Sequence, residues 1–238
     1  MKIDIHSHVQ RIDGRHQVKE LLEDMMKNRI DLRVVSTFQG PSIQWCNKFI
    51  SDLVETNKKL IGCAVINPKL DSAVEDTIHA VSLKNIRIIE FNSFEHGYYP
   101  DDCENLEAVL SIIEKEGLPV KVFTGIGSRS LPHQWEIHTK NHPNMNFIFL
   151  HIGCFDYGYS CVDIATRNDN IYVETSNQYE MQILRKTFQE LRDNKILFGS
   201  MYPERLTSNG IDIFDMFELD DDIIKNIMYL NSKKLLKI

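Results

Sequence analysis

The chain has 238 residues, of which 42% are hydrophobic and 26% are charged, with a formal net charge of −7. This composition is ordinary for a globular protein and supplies enough apolar material for a sizeable core. The acidic balance and the lack of a Lys/Arg-rich block argue against a nucleic-acid partner, and no apolar run approaches the ~20 residues that a membrane span needs.

The N-terminus and the cysteines indicate a cytoplasmic protein. Met1 is followed at once by the strand-like segment 2–5, so no signal peptide is expected. The 5 cysteines are scattered and form no Cys-x-x-Cys pair, which argues against a disulfide framework and against a structural zinc site. We therefore expect reduced thiols, a cytoplasmic location and no membrane partner, while the sequence leaves the oligomeric state open.

Short β-branched runs alternate with longer amphipathic stretches along the chain. Short apolar runs of this kind are typical of strands that are buried on both faces of a parallel sheet. The predicted strands cover residues 2–6, 32–37, 60–66, 86–92, 119–124, 146–152, 170–175 and 195–200. Helical candidates lie between them, each with its apolar side chains on one face. The clearest candidates cover residues 17–28, 102–116 and 180–193.

This alternation predicts the fold class. Strands and helices that alternate from residue 2 to residue 200 favour an α/β protein with a closed (β/α)8 barrel, the TIM barrel. A doubly wound open sheet is the alternative, but no Gly-x-Gly-x-x-Gly motif follows any predicted strand. No linker-like segment interrupts the pattern, so we predict a single domain over 1–238. In such a barrel the chemistry collects at the carboxyl ends of the strands.

The first predicted strand ends in a His-x-His pair. Side chains alternate across a strand, so His6 and His8 share one face, and Asp4 lies below them on that face. Two imidazoles at this spacing can reach one ion, which makes them candidate metal ligands. The alternative is a pair of solvated histidines at a strand end.

The segment Ile3–His8 resembles the opening of amidohydrolase-related proteins, the metal-dependent group that includes aminocarboxymuconate-semialdehyde decarboxylase. Further segments resemble the same family in the same order along the chain, and together they cover nearly all of it. They are Val65–Pro68, Gly97–Asp102, Gly117–Val120, Phe149–Gly153, Phe198–Ser200 with Tyr202–Pro203, and Asn231–Leu236.

The resemblance implies a barrel that binds one divalent metal ion, usually zinc, with manganese as the alternative. Family members hold the ion through two strand-1 histidines, a strand-5 histidine and a strand-8 aspartate, and a strand-6 histidine assists catalysis. His6 and His8 match the metal ligands, and His151 matches the catalytic histidine. Phe123 and Met201 stand at the other two positions. Phenylalanine has no lone pair for a metal, and the methionine thioether is a weak ligand that cannot accept a proton.

A third ligand must therefore come from elsewhere, because a catalytic zinc usually has three protein ligands. His151 is one candidate. The other is Glu90, on the inward phase of strand 4, where the family often has a lysine. Alternatively, Glu90 pairs with Lys121 of strand 5, since a buried carboxylate needs either a cation or a metal as its partner. The sequence also allows a site that binds no metal.

Four side chains at the strand ends are predicted to contact a small-molecule substrate. Phe123 and Met201 would line the mouth of the barrel, and His96 would overhang it from the loop after strand 4. Glu174, at the end of strand 7, would orient a mouth histidine. The remaining histidines are expected outside the site, either on helix surfaces (His16, His79) or in solvent (His133, His138, His142).

Three functions fit these residues. The leading hypothesis is a metal-dependent hydrolase or decarboxylase that acts on a small molecule with a carbonyl, amide, ester or lactone group, with His151 donating a hydrogen bond to the developing oxyanion. The missing aspartate weakens this hypothesis, because Asp4 lies too deep to serve as a base. The second is a catalytically silent barrel that binds a ligand or a protein, which the apolar Phe123 and Met201 favour. The third is a polymerase-and-histidinol-phosphatase-type phosphoesterase, which expects histidines where the chain reads Ser36–Gly40.

Overall fold

Eight parallel strands form the centre of the structure, a computed structural model that describes residues 1–191 and 193–238. Each strand pairs in parallel with the next one along the chain. The strands are β1 (Ile3–His8), β2 (Leu32–Ser36), β3 (Leu60–Val65), β4 (Ile86–Phe91), β5 (Val120–Val122), β6 (Phe147–Phe149), β7 (Ile171–Glu174) and β8 (Ile196–Leu197).

Hydrogen bonds between the first strand and the residues after the last one nearly close the sheet. The Ile5 amide donates to the Phe198 carbonyl oxygen at 3.0 Å, and the His8 amide donates to the Tyr202 carbonyl oxygen at 2.7 Å. The predicted (β/α)8 barrel is therefore confirmed, and the strand ends meet around one mouth. The extent of the domain, 1–238, stays a prediction.

Helices cover the outside of the barrel between successive strands. The longer ones are α1 (Val18–Asn28), α2 (Ile43–Thr56), α3 (Ala73–Ser82), α4 (Leu106–Lys115), α5 (Pro132–Asn141), α6 (Cys154–Arg167) and α7 (Met181–Glu190). Shorter helical segments are Ser93–His96, Pro100–Asp102, Leu150–Gly153, Asp193–Lys195, Thr207–Asp212, Ile213–Met216, Asp221–Lys225, Asn226–Leu230 and Asn231–Leu236. A hairpin joins Arg11–Ile12 to Arg15–His16.

The ends of several predicted elements differ from the observed ones. The predicted helix 180–193 ends at Glu190, and its position 192 lies outside the described residues. The predicted helix 102–116 begins at Leu106. The predicted strand 146–152 ends at Phe149, because His151 (φ 64°) and Ile152 (φ 48°) adopt left-handed backbone conformations that a strand excludes. Within the described part of the chain, no helix has the length and apolar character needed to cross a bilayer.

Two apolar clusters lie on opposite faces of the strands. The larger one fills the layer between the sheet and the helices. The smaller one joins residues of six strands that lie around the barrel, so it fills the barrel interior. Its strand members and their immediate neighbour are Ile5, Val34, Ile61, Cys63, Ile88, Ile148, Leu150 and Leu197.

An irregularity in β1 changes the direction of Asp4. The pairing between β1 and β2 carries one extra residue on β1, as in a β-bulge: Asp4 pairs with Arg33, and Ser7 pairs with Val35. The Asp4 carboxylate lies 2.8 Å from Arg33 Nε, and Arg33 also contacts Asp24 of α1 at 2.8 Å. Asp4 therefore faces the helix layer, not the face of His6 as strict alternation predicts. Its role is structural.

Two histidines, His138 in α5 and His142 directly after it, are buried, whereas the sequence placed them in solvent. His138 Nδ1 lies 2.5 Å from a carboxylate oxygen of Glu107 in α4. His142 lies between two carboxylates, 3.1 Å from Glu107 and 2.9 Å from Glu114. These contacts join α4 to α5 away from the barrel mouth. His16 also differs from its prediction, because it belongs to the hairpin and stacks on Phe49 with ring centroids 4.0 Å apart.

Arg33 tests the importance of the buried Asp4–Arg33–Asp24 cluster. Arg33→Ala leaves Asp4 as a buried charge without its cation, so we expect the free energy of unfolding to fall by ~3–5 kcal/mol. Urea denaturation followed by circular dichroism measures this. The control is Arg87→Ala, which removes an exposed arginine from β4. If both variants lost the same free energy of unfolding, the buried cluster would stabilise the fold no more than an exposed arginine does.

Candidate functional site

Two histidines and a glutamate meet at the mouth of the barrel. Potential ligand atoms of His6, His8 and Glu90 all lie within 4.8 Å of one another. Glu90 Oε1 is 3.1 Å from His8 Nε2 and 3.8 Å from His6 Nδ1. The extra residue in β1 and the inward phase of β4 bring these side chains together. One oxygen of the Glu90 carboxylate therefore faces both histidines.

The second oxygen of Glu90 binds other partners. Lys121 Nζ lies 3.0 Å from Oε2, because Glu90 and Lys121 are register partners on β4 and β5. The Ser36 hydroxyl of β2 donates to the same oxygen at 2.6 Å. The Glu90–Lys121 pair considered from the sequence is thus present, and it leaves Oε1 directed at the histidines. The pair and a metal-binding role for Glu90 are geometrically compatible.

Burial and neighbouring charges set the protonation of this cluster. Burial alone would raise the pKa of Glu90, but Lys121 and His8 outweigh it and hold that pKa well below its ordinary value. Burial lowers the pKa of His8, whereas Glu90 and Glu204 raise it to about 9. Burial and the Lys121 ammonium lower the pKa of His6 well below its ordinary value, so His6 is neutral. Its Nδ1 accepts a hydrogen bond from Lys121 at 3.2 Å.

The donor set fits a divalent ion. In a tetrahedral zinc site with bonds of ~2.0–2.1 Å, ligand atoms lie ~3.3 Å apart, close to the separations between Glu90 Oε1 and the two histidines. Two imidazole nitrogens and one carboxylate oxygen also leave a coordination position for substrate. Lys121 competes for His6 Nδ1, so an ion must displace that one hydrogen bond. The Lys121 contact with Glu90 Oε2 can remain.

His151 lies beside this cluster and is fully buried. Its ring centroid is 5.2 Å from that of His6. The Ser176 hydroxyl donates to Glu174, and the Ser176 carbonyl oxygen can only accept, so His151 Nδ1 donates to Ser176 at 2.9–3.1 Å. Its Nε2 then carries a lone pair, and Nε2 has no hydrogen-bond partner. The neutral ring therefore presents an acceptor, not the donor expected from the sequence, and burial lowers its pKa to about 4.

Glu174 holds His151 in place without facing solvent. Its carboxylate accepts hydrogen bonds from the His151 amide at 3.2 Å and from the Ser176 hydroxyl at 2.8 Å. Burial raises the pKa of Glu174 to about 7. Its contacts suit the predicted orienting role, and its predicted contact with a substrate remains a prediction.

A cavity of about 380 Å³ opens beside His8. Phe123 and Met201, the two residues at the expected ligand positions, both line it together with His8. The Phe123 ring also packs edge-on against His151, with centroids 5.2 Å apart, so Phe123 lies between His151 and the cavity. A larger recess of about 520 Å³, lined by Ser42 and other residues near the start of α2, contains no histidine.

His96 is half-buried near this cavity. Its ring lies 5.7 Å from that of Phe38, which in turn contacts His8 at 5.4 Å between centroids. Its buried Nδ1 has no hydrogen-bond partner. Burial lowers the pKa of His96 to about 4, so this histidine is neutral. Its predicted contact with a substrate remains a prediction.

Sequence reasoning missed several residues of the cavity wall. Glu204 lies 3.3 Å from His8 Nδ1, and Phe38 and Phe94 add aromatic walls. The signal for Glu204 was its position three residues after Met201, on the same strand-8 loop. Phe38 and Phe94 follow the ends of β2 and β4, where the barrel rule places site residues. A phenylalanine at such a position belongs to no recognisable sequence motif, so neither residue could be identified from the sequence.

The Glu90–Lys121 pair can be tested by a double-mutant cycle. Glu90→Gln leaves Lys121 as an unpaired buried cation, and Lys121→Met leaves Glu90 without its main counter-charge. Each change should lower the free energy of unfolding by ~3–5 kcal/mol. The double variant should lose clearly less than the sum, because neither charge is then stranded. Chemical denaturation measures all three, with exposed Glu95→Gln as control. Additive losses would rule out a coupled pair.

Comparison with known proteins identifies the family. The sequence matches the Amidohydrolase family (Amidohydro_2) over residues 3–238. No curated protein matches it.

Solved structures share the fold at low sequence identity. A 5-carboxyvanillate decarboxylase from Sphingomonas paucimobilis has a TM-score of 0.77 and 14% identity, covering 100% of this chain and 99% of that one. A dihydroxybenzoic acid decarboxylase from Polaromonas sp., solved with bound manganese and the inhibitor 2-nitroresorcinol, has a TM-score of 0.74 and 15% identity. The match covers 99% of this chain and 96% of that one. A probable 2-pyrone-4,6-dicarboxylic acid hydrolase from Acinetobacter baumannii has a TM-score of 0.74 and 13% identity, and the match covers 100% of this chain and 99% of that one. The chain belongs to the amidohydrolase family of (β/α)8-barrel proteins.

Proposed function

We propose that this protein is a metal-dependent enzyme that decarboxylates a small carboxylated molecule. The observation that carries the proposal is the cluster of His6, His8 and Glu90 beside a cavity of about 380 Å³. Three donors at one barrel mouth, beside a cavity of small-molecule size, are the arrangement expected of a catalytic metal site. Zinc and manganese both suit this donor set.

Each residue of the cluster has a distinct part in this proposal. His6, His8 and Glu90 hold the ion, which would supply positive charge where the substrate develops negative charge. Lys121 keeps Glu90 ionised and fixes its second oxygen. The aromatic cavity walls contact the apolar part of the substrate and exclude water. His151 is held in place by Glu174 and Ser176. Its Nε2 would accept a proton from a substrate once Phe123, which separates His151 from the cavity, has moved aside.

Decarboxylation suits this site better than hydrolysis does. Hydrolysis needs a base to take a proton from the attacking water, and Met201 replaces the family's strand-8 aspartate. In decarboxylation the bond to the carboxyl carbon breaks, its electron pair stays on the remaining carbon, and a proton from solvent takes the place of carbon dioxide. No attacking water is required. Two of the solved relatives described above are decarboxylases, which supports the same choice.

A second candidate function is a barrel that binds a ligand without catalysis. It is favoured by two observations, the apolar Phe123 and Met201 on the cavity wall and the Lys121 ammonium on His6 Nδ1. In this alternative the Lys121 ammonium takes the place of a metal ion as the positive charge of the site.

We include a cytoplasmic location in the leading proposal, since the 5 cysteines are all free thiols.

Metal loading tests the leading proposal. Protein stripped of metal and titrated with Mn²⁺ or Zn²⁺ should bind about one ion per chain, and His6→Ala with His8→Ala should abolish binding. His133→Ala, an exposed histidine of α5, is the control. The loaded protein should release carbon dioxide from at least one member of a panel of hydroxybenzoate-type acids, and chelator should stop the release. A wild-type protein that binds neither ion would refute the metal-dependent function.

Restoring the two missing residues distinguishes a reorganised site from a decayed one. If Glu90 replaces the lost ligands, Phe123→His with Met201→Asp should change zinc affinity by less than about tenfold, since three ligands already complete a catalytic site. If the site has decayed, the same change should strengthen binding by several orders of magnitude, because each added ligand contributes to a binding free energy of ~10 kcal/mol or more. Calorimetric titration of both proteins separates these outcomes. We expect the smaller change.

A further inference from the structure

Glu204 occupies the side of His8 that faces away from Glu90. Its Oε2 lies 3.3 Å from His8 Nδ1, while His8 Nε2 lies 3.1 Å from Glu90 Oε1. Both ring nitrogens of this histidine are therefore held by carboxylates. The Glu204 side chain is 40% exposed and lines the cavity, whereas the His8 side chain is only 12% exposed.

The turn that carries Glu204 is fixed to the barrel. The His8 amide donates to the Tyr202 carbonyl oxygen at 2.7 Å, and the Arg205 amide donates to the Met201 carbonyl oxygen at 3.0 Å. The Arg205 side chain adds a hydrogen bond from Nε to Asn177 Oδ1 at 2.8 Å. Contacts on both sides of Glu204 thus limit where its carboxylate can lie.

We infer that Glu204 is a positioning residue of the metal site, holding His8 Nδ1 so that Nε2 stays directed at Glu90. This inference rests on the proposed metal-binding function. A metal-ligating histidine usually donates its other ring N–H to a carboxylate or a carbonyl, which fixes both the ring orientation and the tautomer. Glu204 supplies that partner here. Its carboxylate acts through His8 and is not itself a ligand.

Glu204 lies on the same loop as Met201. The family's strand-8 residue is a carboxylate, and this chain places methionine there, with a left-handed backbone (φ 55°) and its amide donating to the His6 carbonyl oxygen at 2.8 Å. The same loop carries a carboxylate three residues after Met201, at Glu204. It contacts the outer nitrogen of His8 instead of the cluster itself.

Mn²⁺ titration by calorimetry tests the inference. Glu204→Ala should weaken Mn²⁺ binding by ~10–100-fold, the usual loss when such a partner is removed. Glu204→Gln should retain most of the affinity, because its amide oxygen can still accept the His8 Nδ1 proton. Glu95→Gln and Glu95→Ala are matched controls, since Glu95 lines the same cavity without a hydrogen bond or ion pair from its side chain to any described residue. Unchanged affinity in Glu204→Ala, or equal losses in the Ala and Gln variants, would overturn the inference.

A second measurement does not depend on metal binding. In metal-free, ¹⁵N-labelled protein, the Nδ1 proton of His8 should give a hydrogen-bonded, slowly exchanging signal, assigned by its loss in His8→Ala. The signal should persist in Glu204→Gln and in the Glu95 variants, and it should vanish in Glu204→Ala. If wild-type protein bound no Mn²⁺, the proposed function would fail, and this signal alone would decide whether Glu204 holds His8. A signal unaffected by Glu204→Ala would refute the contact.

Discussion

The buried Glu90 carboxylate controls the arrangement of the barrel mouth. A fully buried carboxylate is costly unless each oxygen has a partner, and Glu90 satisfies its two oxygens in different ways. Oε2 contacts Lys121 of the neighbouring β5 and Ser36 of β2, and Oε1 faces the histidines of β1. Because three strands contribute these partners, the carboxylate cannot turn without breaking several contacts. The direction of Oε1, on which any metal site depends, follows from the contacts of Oε2.

Phe123 and Met201 place apolar side chains at the barrel mouth, where the family resemblance predicts an imidazole and a carboxylate. The charge of the site lies deeper, where the Glu90 carboxylate is buried inside the barrel. Lys121 then becomes necessary as its counter-charge, because an uncompensated charge in the interior costs several kcal/mol, on the order of 3–5. The apolar replacements at the same time line the cavity. The wall of the cavity is therefore partly apolar, and the charges of the Glu90–Lys121 pair lie beneath it in the barrel interior.

The sequence predicted the barrel and several side chains that meet at its mouth, and the failures have identifiable physical causes. Alternating apolar runs located all eight strands, and the barrel rule then brought His6, His8, Glu90 and Lys121 to one mouth. Strict alternation wrongly placed Asp4 on the face of His6, because one extra residue in β1 cannot be read from a period-2 pattern. The burial of His138 and His142 was missed for a related reason. Their partners, Glu107 and Glu114, belong to another helix, and helix-to-helix pairing is a tertiary property.

The site also illustrates why the identity of a ligand position need not decide the function of a barrel. The strands fix where side chains meet, but the loops and neighbouring strands decide which side chain supplies each charge. Here one carboxylate enters from β4 and another from the loop after β8, and they contact opposite nitrogens of His8. At neutral pH these two acids raise the pKa of His8 to about 9, so in the absence of an ion His8 keeps its proton as their counter-charge. Under the proposed function, a divalent cation at Nε2 would replace that proton with a larger charge in the same place. Glu90, His8 and Glu204 thus place two carboxylates on opposite sides of one positively charged group.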